Sequence, residues 1–527
     1  MHTRHPVATP ASAGTGTRGE RPSLPVGGIL LLAVLSAATA NYLFALNPDA
    51  VTLDISVSWA DTALLATGVG LLLLAVHRPA VAYAAIVAII YLNLSEVLVR
   101  FHGLPSLLQL LVLPLLVAGL LECRRHPSQR RLLQPLTLWL GVYVLIVLTS
   151  TSYAHDASLA DESLLDKVKA FAIYGWMAVA ATSLRHVSRA VGAIVAAAAL
   201  LALLGVVQTA TGNFVFEFGG LARVKDAQIY GDVFEPRLAG PLGDPNYFGQ
   251  ILLIAVPYGL LAVRHVTSSW HKGMLLTGVG LIVAGAVLTY SRGTALAGLL
   301  MMVALVPAFG MDVRRGLIGL VAALVVAMAV LPSDVTRRLA TLEQLIPGGT
   351  EIVEPDSSFE KRKLMTAVAW AMFWDQPLLG LGAGNYAVHF ADYADYTESA
   401  SRVYRAPRVD DDDRPYPHSL YLEVAAETGL LGLVAFAAAI GAAGVLLWRA
   451  RRRFLAAGTP LGADLTSGTL VAIGGYLVCA LFLHGHFQHY LWMLLGLAAA
   501  LHGLSSESGI GGRRAGDVVP ATPGAGP

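Results

Sequence analysis

The sequence predicts an all-α fold: a polytopic membrane helical bundle of about 14 transmembrane helices, with one long outer-face loop containing an amphipathic helix. Three observations lead there. Hydrophobic residues make up 55% of the 527 and charged residues only 13%, about half the charge of a soluble domain. The mean hydropathy is +0.63, and the remaining charges cluster between apolar runs long enough to cross a bilayer. Lysine and arginine also alternate from loop to loop, as the positive-inside rule requires of a multi-pass chain.

Taken in order, residues 1–25 are polar and rich in Pro, Gly, Ser and Thr, and read as a disordered cytoplasmic N-terminus. The apolar run then starts at Val26. Ala38-Thr39-Ala40 loosely resembles a signal-peptidase site, but the run continues through Tyr42, Leu43 and Leu46, so an uncleaved first helix is the better reading. Apolar segments follow near 26–46, 62–77, 79–97, 103–121, 132–150, 168–184, 190–211, 245–263, 273–290, 293–310, 316–331, 418–448, 466–484 and 487–504. They group as N-terminal helices over 26–211, central helices with Arg-bearing outer loops over 212–331, a long outer loop over 332–417, C-terminal helices over 418–505 and a disordered cytoplasmic tail over 506–527.

With the N-terminus inside, more than half of the 36 basic residues fall on the cytoplasmic side, including Arg124, Arg125, Arg314, Arg315 and Arg451 to Arg453. The chain then places both termini in the cytoplasm, with membrane lipids as the solvent of its spans. The net charge is +1 and no basic face appears outside short loops, which excludes a nucleic-acid partner. Cys123 and Cys479 lie on or beside different spans and form no paired motif, against a disulfide framework or a zinc site. In the long loop, Ser357-Ser358-Phe359-Glu360 reads as a capping box, and a helix with Met365, Trp370, Phe373 and Trp374 runs to a stop at Pro377. That helix should lie against the bundle or along the membrane surface.

Polar groups beside a membrane span are costly and are therefore candidates for function. Arg237 stands ahead of Asp244-Pro245-Asn246, where Asp244 can cap a helix with Pro at its first position. A guanidinium in that Gly/Pro-bent segment can hold a phosphate bidentately, or it can pair with a headgroup or an acidic loop. Ser291-Arg292-Gly293 forms a tight turn between two spans, so Arg292 either faces a site or snorkels. Arg362, with Lys361 and Lys363, suits a headgroup-binding face or a substrate contact. His418 stands where the long loop enters a span; it is either a general base for an alcohol or an interfacial histidine. His484-Gly-His486-Phe-Gln-His489 reads as an interfacial turn rather than a metal centre, and Asp410 to Asp413 as a solvated loop.

These motifs together resemble the O-antigen ligase/polymerase family of bacterial envelope glycosyltransferases. The resemblance rests on Arg237 before Asp-Pro-Asn, the Ser-Arg-Gly turn at 291–293, and Arg362 followed by Asp375-Gln-Pro377 and the Gly-rich run to Gly384-Asn385-Tyr386. Pro-His418-Ser-Leu-Tyr421-Leu-Glu and Glu427-Thr-Gly-Leu-Leu-Gly complete it. It implies an inverting, metal-independent glycosyltransferase without cofactors, which moves a glycan from undecaprenyl diphosphate to an acceptor hydroxyl at the outer face. It also implies His418 as catalytic base and Arg237, Arg292 and Arg362 on the diphosphate. Asp244, Asn246, Ser291, Asn385, Tyr421 and Glu427 would support them. The acceptor would be a lipid A core sugar or another envelope glycan for a ligase, and a second lipid-linked repeat for a polymerase of O-antigen or exopolysaccharide. A transporter or flippase of a lipid-linked anionic glycan is the competing class. Transporters usually show repeated halves and helices broken at mid-membrane, whereas the charged candidates here gather at one face.

Overall fold

The computed structural model describes residues 77–104, 106–107, 134–230, 233–312, 314, 316, 318, 357–394, 414–486 and 488–516. The expected span near 26–46 lies outside them, as do nearly all of those near 62–77, 103–121 and 316–331, together with Cys123 and the run Asp410 to Asp413. Each of the other expected spans coincides with a helix. In chain order these are α1 (Pro79–Tyr91), α2 (Leu94–His102), α3 (Pro135–Ser150), α4 (Ala157–Ala180), α5 (Leu184–Thr211), α6 (Pro245–Ala262), α7 (Ser269–Val287) and α8 (Arg292–Leu305). After α9 (Ser357–Asp375) and α10 (Tyr386–Ala394) come α11 (Leu420–Ala456), α12 (Pro460–Cys479) and α13 (His489–Gly516).

Six of the described helices, α5, α6, α7, α8, α11 and α12, are long and apolar enough to cross a membrane. The pair α1 and α2, bent by 54° at Asn93, makes a seventh if it is one span. Asn93 takes φ +52°, a left-handed backbone that asparagine tolerates better than most residues. A multi-pass helical membrane protein is therefore what the described residues show, with fewer spans among them than the whole-chain expectation.

The core follows from which helices are apolar all round. Tyr490 to Leu495 and Leu497 to Leu501 of α13 are fully buried, and α6 is buried on every side from Tyr247 to Gly259. Helices α4 and α11 pack on α13, while α7, α8 and α12 pack on α6. Leu138, Leu145, Trp270, Leu276, Val434 and Trp448 are exposed, as outward-facing residues in lipid should be.

One element departs from the all-α expectation. Strands β1 (Val224–Tyr230) and β2 (Val233–Leu238) pair antiparallel, with Lys225 opposite Arg237. Val, Ile, Tyr and Phe favour strands and Gly231-Asp232 separates them in the sequence, but the segment is short and interrupted by charge. Hairpin pairing carries Arg237 back against the end of α7.

Helix α11 is broken at Gly429, where φ is +62° and ψ −162°. The Gly-rich turn after α9 fills the break. Leu430 N–H donates to Pro377 O at 2.8 Å, Leu381 N–H to Ala426 O at 3.0 Å and Gly382 N–H to Glu427 O at 3.0 Å. Backbone groups freed by the break are thus paired again, as an apolar surrounding requires. A Cβ at Gly380 would stand 2.4 Å from the Glu427 carbonyl carbon, and one at Gly429 would stand 2.4 Å from that of Leu378. Both glycines have positive φ, so Gly380→Ala and Gly429→Ala are expected to destabilise by about 2–4 kcal/mol each, through strain and forced backbone separation. Thermal unfolding in detergent reads this, and an unchanged melting temperature would contradict the close approach.

Helix α9 starts at Ser357, as the capping box indicates, and lies against the bundle. Leu364, Met365, Val368 and Met372 are buried beside α10 and α11. Trp370 and Trp374 are 51% and 62% exposed and, with Phe373, form a cluster of touching rings. An aromatic cluster on an outward face suits the membrane interface.

Candidate active site

The starts of α6, α8, α11 and α13 and the ends of α7 and α12 meet at one end of the bundle, and the sequence candidates gather there. The opposite end is held differently: Arg264 and His265 engage Asp464 at 3.2 and 2.8 Å.

Asp244 caps α6, its carboxylate accepting from Asn246 N at 2.8 Å and Tyr247 N at 3.3 Å. Ser291 caps α8 by accepting from Thr294 N at 3.4 Å. These caps fix two helix N-termini side by side, each with the positive end of its dipole toward the same space. Arg237 braces them. It is 7% exposed, donates from Nε to Thr289 O at 2.8 Å and from Nη2 to Asn246 Oδ1 at 3.2 Å, and so ties the α7–α8 turn to the start of α6.

A small pocket opens between these parts, lined by Asn246, Tyr290, Ser291, Arg292, Thr294, Arg362, Cys479 and Phe482, among others. Arg362, on the surface helix, is thus brought to Arg292, 70 residues earlier in the chain. The two guanidiniums share this pocket with no acidic residue among those lining it. Thr294 is 4% exposed and its hydroxyl has no partner among the described residues. Two positive charges, two helix N-termini and an unsatisfied hydroxyl are an arrangement able to hold an anion. Tyr290, in its wall, takes φ +49°, a strained backbone of the sort that concentrates at functional sites.

His418 also has positive φ, +47°. Its ring lies 6.0 Å, edge to face, from that of His484 in the α12–α13 loop. His484 is held on two further sides. Tyr416 stacks flat on it at 4.1 Å with an interplanar angle of 3°, and Tyr247 Oη lies 2.8 Å from Nδ1 and 2.9 Å from the His484 carbonyl oxygen. With the tyrosine proton donated to the carbonyl, Nδ1–H donates to the tyrosine oxygen and Nε2 is the acceptor. Burial, with His486 and His418 nearby, holds His484 well below the usual histidine pKa of 6.5. A depressed histidine lends the fold no penalty above about pH 6.5 and costs stability as the unfolded chain begins to bind protons below it. The melting temperature should therefore fall from about pH 6.5 downward, and His484→Gln should flatten that slope. An identical slope in the variant would remove His484 as its source.

The loop bearing His484 also walls a much larger cleft of about 700 Å³. Lys167 and Lys169 of α4, Arg414, Tyr416, Glu423, His486, Gln488 and His489 line it. The carboxylate of Glu423 accepts from Gly485 N and so anchors the loop. Sequence reasoning gave these residues no role. By sequence the histidines read as an interfacial turn and the lysines as ordinary loop charge. Three histidines within six residues, next to a span and unexplained by capping, were the signal available.

Three candidates stand apart from the arginine pocket. Asn385 is fully buried and clamps the Gly-rich turn to the start of α4, donating to Asp156 O at 3.1 Å and Ala383 O at 3.0 Å while accepting from Asp156 N at 2.7 Å. Tyr421 donates to Leu477 O at 2.8 Å and joins α11 to α12. Glu427 accepts from Tyr386 N at 3.4 Å and seats the same Gly-rich turn beneath Glu423.

Fold and site thus define a multi-pass helical membrane protein with a pocket lined by two arginines among the helix ends at one end of its bundle. Residues 277–437 match the family model for O-antigen ligase, Wzy_C, so the chain carries an O-antigen ligase family domain. That segment includes Ser291, Arg292, Arg362, Asn385, His418, Tyr421 and Glu427, while Arg237, Asp244 and Asn246 precede it. No curated protein matches the chain.

Proposed function

We propose that the protein transfers a glycan from undecaprenyl diphosphate to an acceptor hydroxyl at the outer face of the bacterial inner membrane, with both termini in the cytoplasm. The observation that carries this reading is the convergence of Arg292 and Arg362 in a pocket with no acidic residue in its lining. Its lining residue Asn246 precedes Tyr247, the partner of His484, and the His418 ring is 6.0 Å from that of His484. The pocket holds about 20 Å³, little more than one water needs, so the two side chains part to admit a diphosphate.

The chemistry then runs in one displacement. The acceptor oxygen attacks the anomeric carbon as its proton passes to His418, and the bond from that carbon to the diphosphate oxygen breaks with inversion. The electron pair leaves on the lipid diphosphate, where the guanidiniums stabilise the growing charge without a divalent ion. Arg237 supports the pocket through Asn246 and Thr289, beside any direct contact with the donor.

The test is reconstitution in liposomes with an undecaprenyl-diphosphate-linked glycan and the envelope glycolipids of the same cells. Release of undecaprenyl diphosphate in step with glycan appearing on the acceptor is expected. Movement of the intact lipid-linked glycan across the bilayer, with nothing released, would instead favour a flippase.

A further inference from the structure

We propose that the 700 Å³ cleft beside His484 is the acceptor site, and that it takes an uncharged, hydroxyl-rich saccharide. The assignment to an acceptor rests on the transferase reading above; the ligand class rests on the lining itself. The volume falls within the range of small-molecule sites, roughly 300–1,000 Å³.

The lining contrasts with that of the arginine pocket. There, two arginines and no acidic residue line the wall. In the cleft, Lys167, Lys169 and Arg414 are matched by Glu96, Glu162, Asp166 and Glu423, and Lys169 is already paired to Asp166 at 3.0 Å. A balanced wall of donors and acceptors gives an anion no net attraction. It suits a ligand whose every hydroxyl both donates and accepts.

Gln488 supplies an independent sign. It is 5% exposed, it lines the cleft, and its amide oxygen has no partner among the described residues. A buried acceptor without a donor is costly, and such atoms in native proteins call for an explanation. A saccharide hydroxyl in the cleft would donate to it once the Gln488 side chain turns its oxygen into the cleft. The Tyr416 ring, fixed by its stack on His484, adds a flat apolar plate for the C–H face of a sugar. A saccharide with its end at this plate has that end next to His484, whose ring is 6.0 Å from that of His418.

The experiment measures binding rather than turnover. Full-length protein in nanodiscs is titrated with the neutral and the acidic oligosaccharide fractions released from the envelope of its own cells. Saturable binding of the neutral fraction is expected. Gln488→Leu should weaken it about tenfold, the loss of one buried hydrogen bond, and Tyr416→Ala should weaken it further. Gln488→Leu removes an unsatisfied polar atom at nearly constant volume, so its melting temperature should hold or rise, which separates lost binding from lost folding. Undecaprenyl diphosphate should bind both variants as it binds the wild type. Preference for the acidic fraction, binding of neither fraction, or neutral binding unaffected by Gln488→Leu would each overturn the proposal. A wild type that binds the neutral fraction yet transfers nothing would instead count against the transferase reading.

Discussion

Replacing His418 with alanine is expected to leave an inserted, folded protein whose glycan transfer falls by about 10²–10⁴-fold, the usual contribution of a positioned general base. The backbone adds a second reason to single out this residue. A non-glycine residue with φ near +47° carries strain of about 1–3 kcal/mol, held in place only by its surroundings. If that strain serves to aim the imidazole at the acceptor, relieving it should stabilise the fold while removing activity. His418→Gly should therefore melt at or above the wild-type temperature and transfer no better than His418→Ala. Donor binding should persist in both, because Arg292 and Arg362 are untouched. Wild-type rates in purified His418→Ala would end the assignment of His418 as base.

Much of this site was legible in the sequence because charge is scarce in an apolar chain. Arg292, Arg362 and His418 drew attention through the cost of polar groups beside membrane spans, and Asp244 and Ser291 through their places at helix starts. What was hidden depends on tertiary packing. Gln488 looks like any loop amide until the α12–α13 loop folds over α4 and leaves its oxygen unmatched. Lys167 and Lys169 counted as loop charge, yet α4 extends back to Ala157 and carries them into the cleft wall. Gly429 gave no sign of a break, since an isolated glycine in an apolar run is tolerated in a helix; the break becomes stable only when the turn at 376–382 supplies the missing hydrogen bonds. Arg237 was read as a phosphate ligand from its Gly/Pro-bent segment and its family position; the hairpin that also sets it between two helix ends, on Thr289 and Asn246, could not be seen in the sequence.

Arg292 and Arg362 should behave as one grip on the donor. Each of Arg292→Ala and Arg362→Ala is expected to lower kcat/KM for the lipid-linked donor by about 10²–10³-fold, as when one donor to a developing oxyanion is removed. Their losses should not add. Two groups that line one pocket and hold one diphosphate depend on each other's placement, so the double variant should fall well short of the product of the single effects. Lysine offers the sharper comparison. It keeps the charge but loses the planar fork, so Arg292→Lys should recover little of the activity if two parallel hydrogen bonds to phosphate are what matters. Full recovery would point to bulk charge at the membrane surface, and a steep salt dependence of the rate should accompany it. Multiplicative losses in the double variant would mean that the two arginines act on different groups. The acid-free pocket would then be two half-sites, and Arg362, carried in on the surface helix, would belong to the approach of the donor rather than to the departure of its diphosphate.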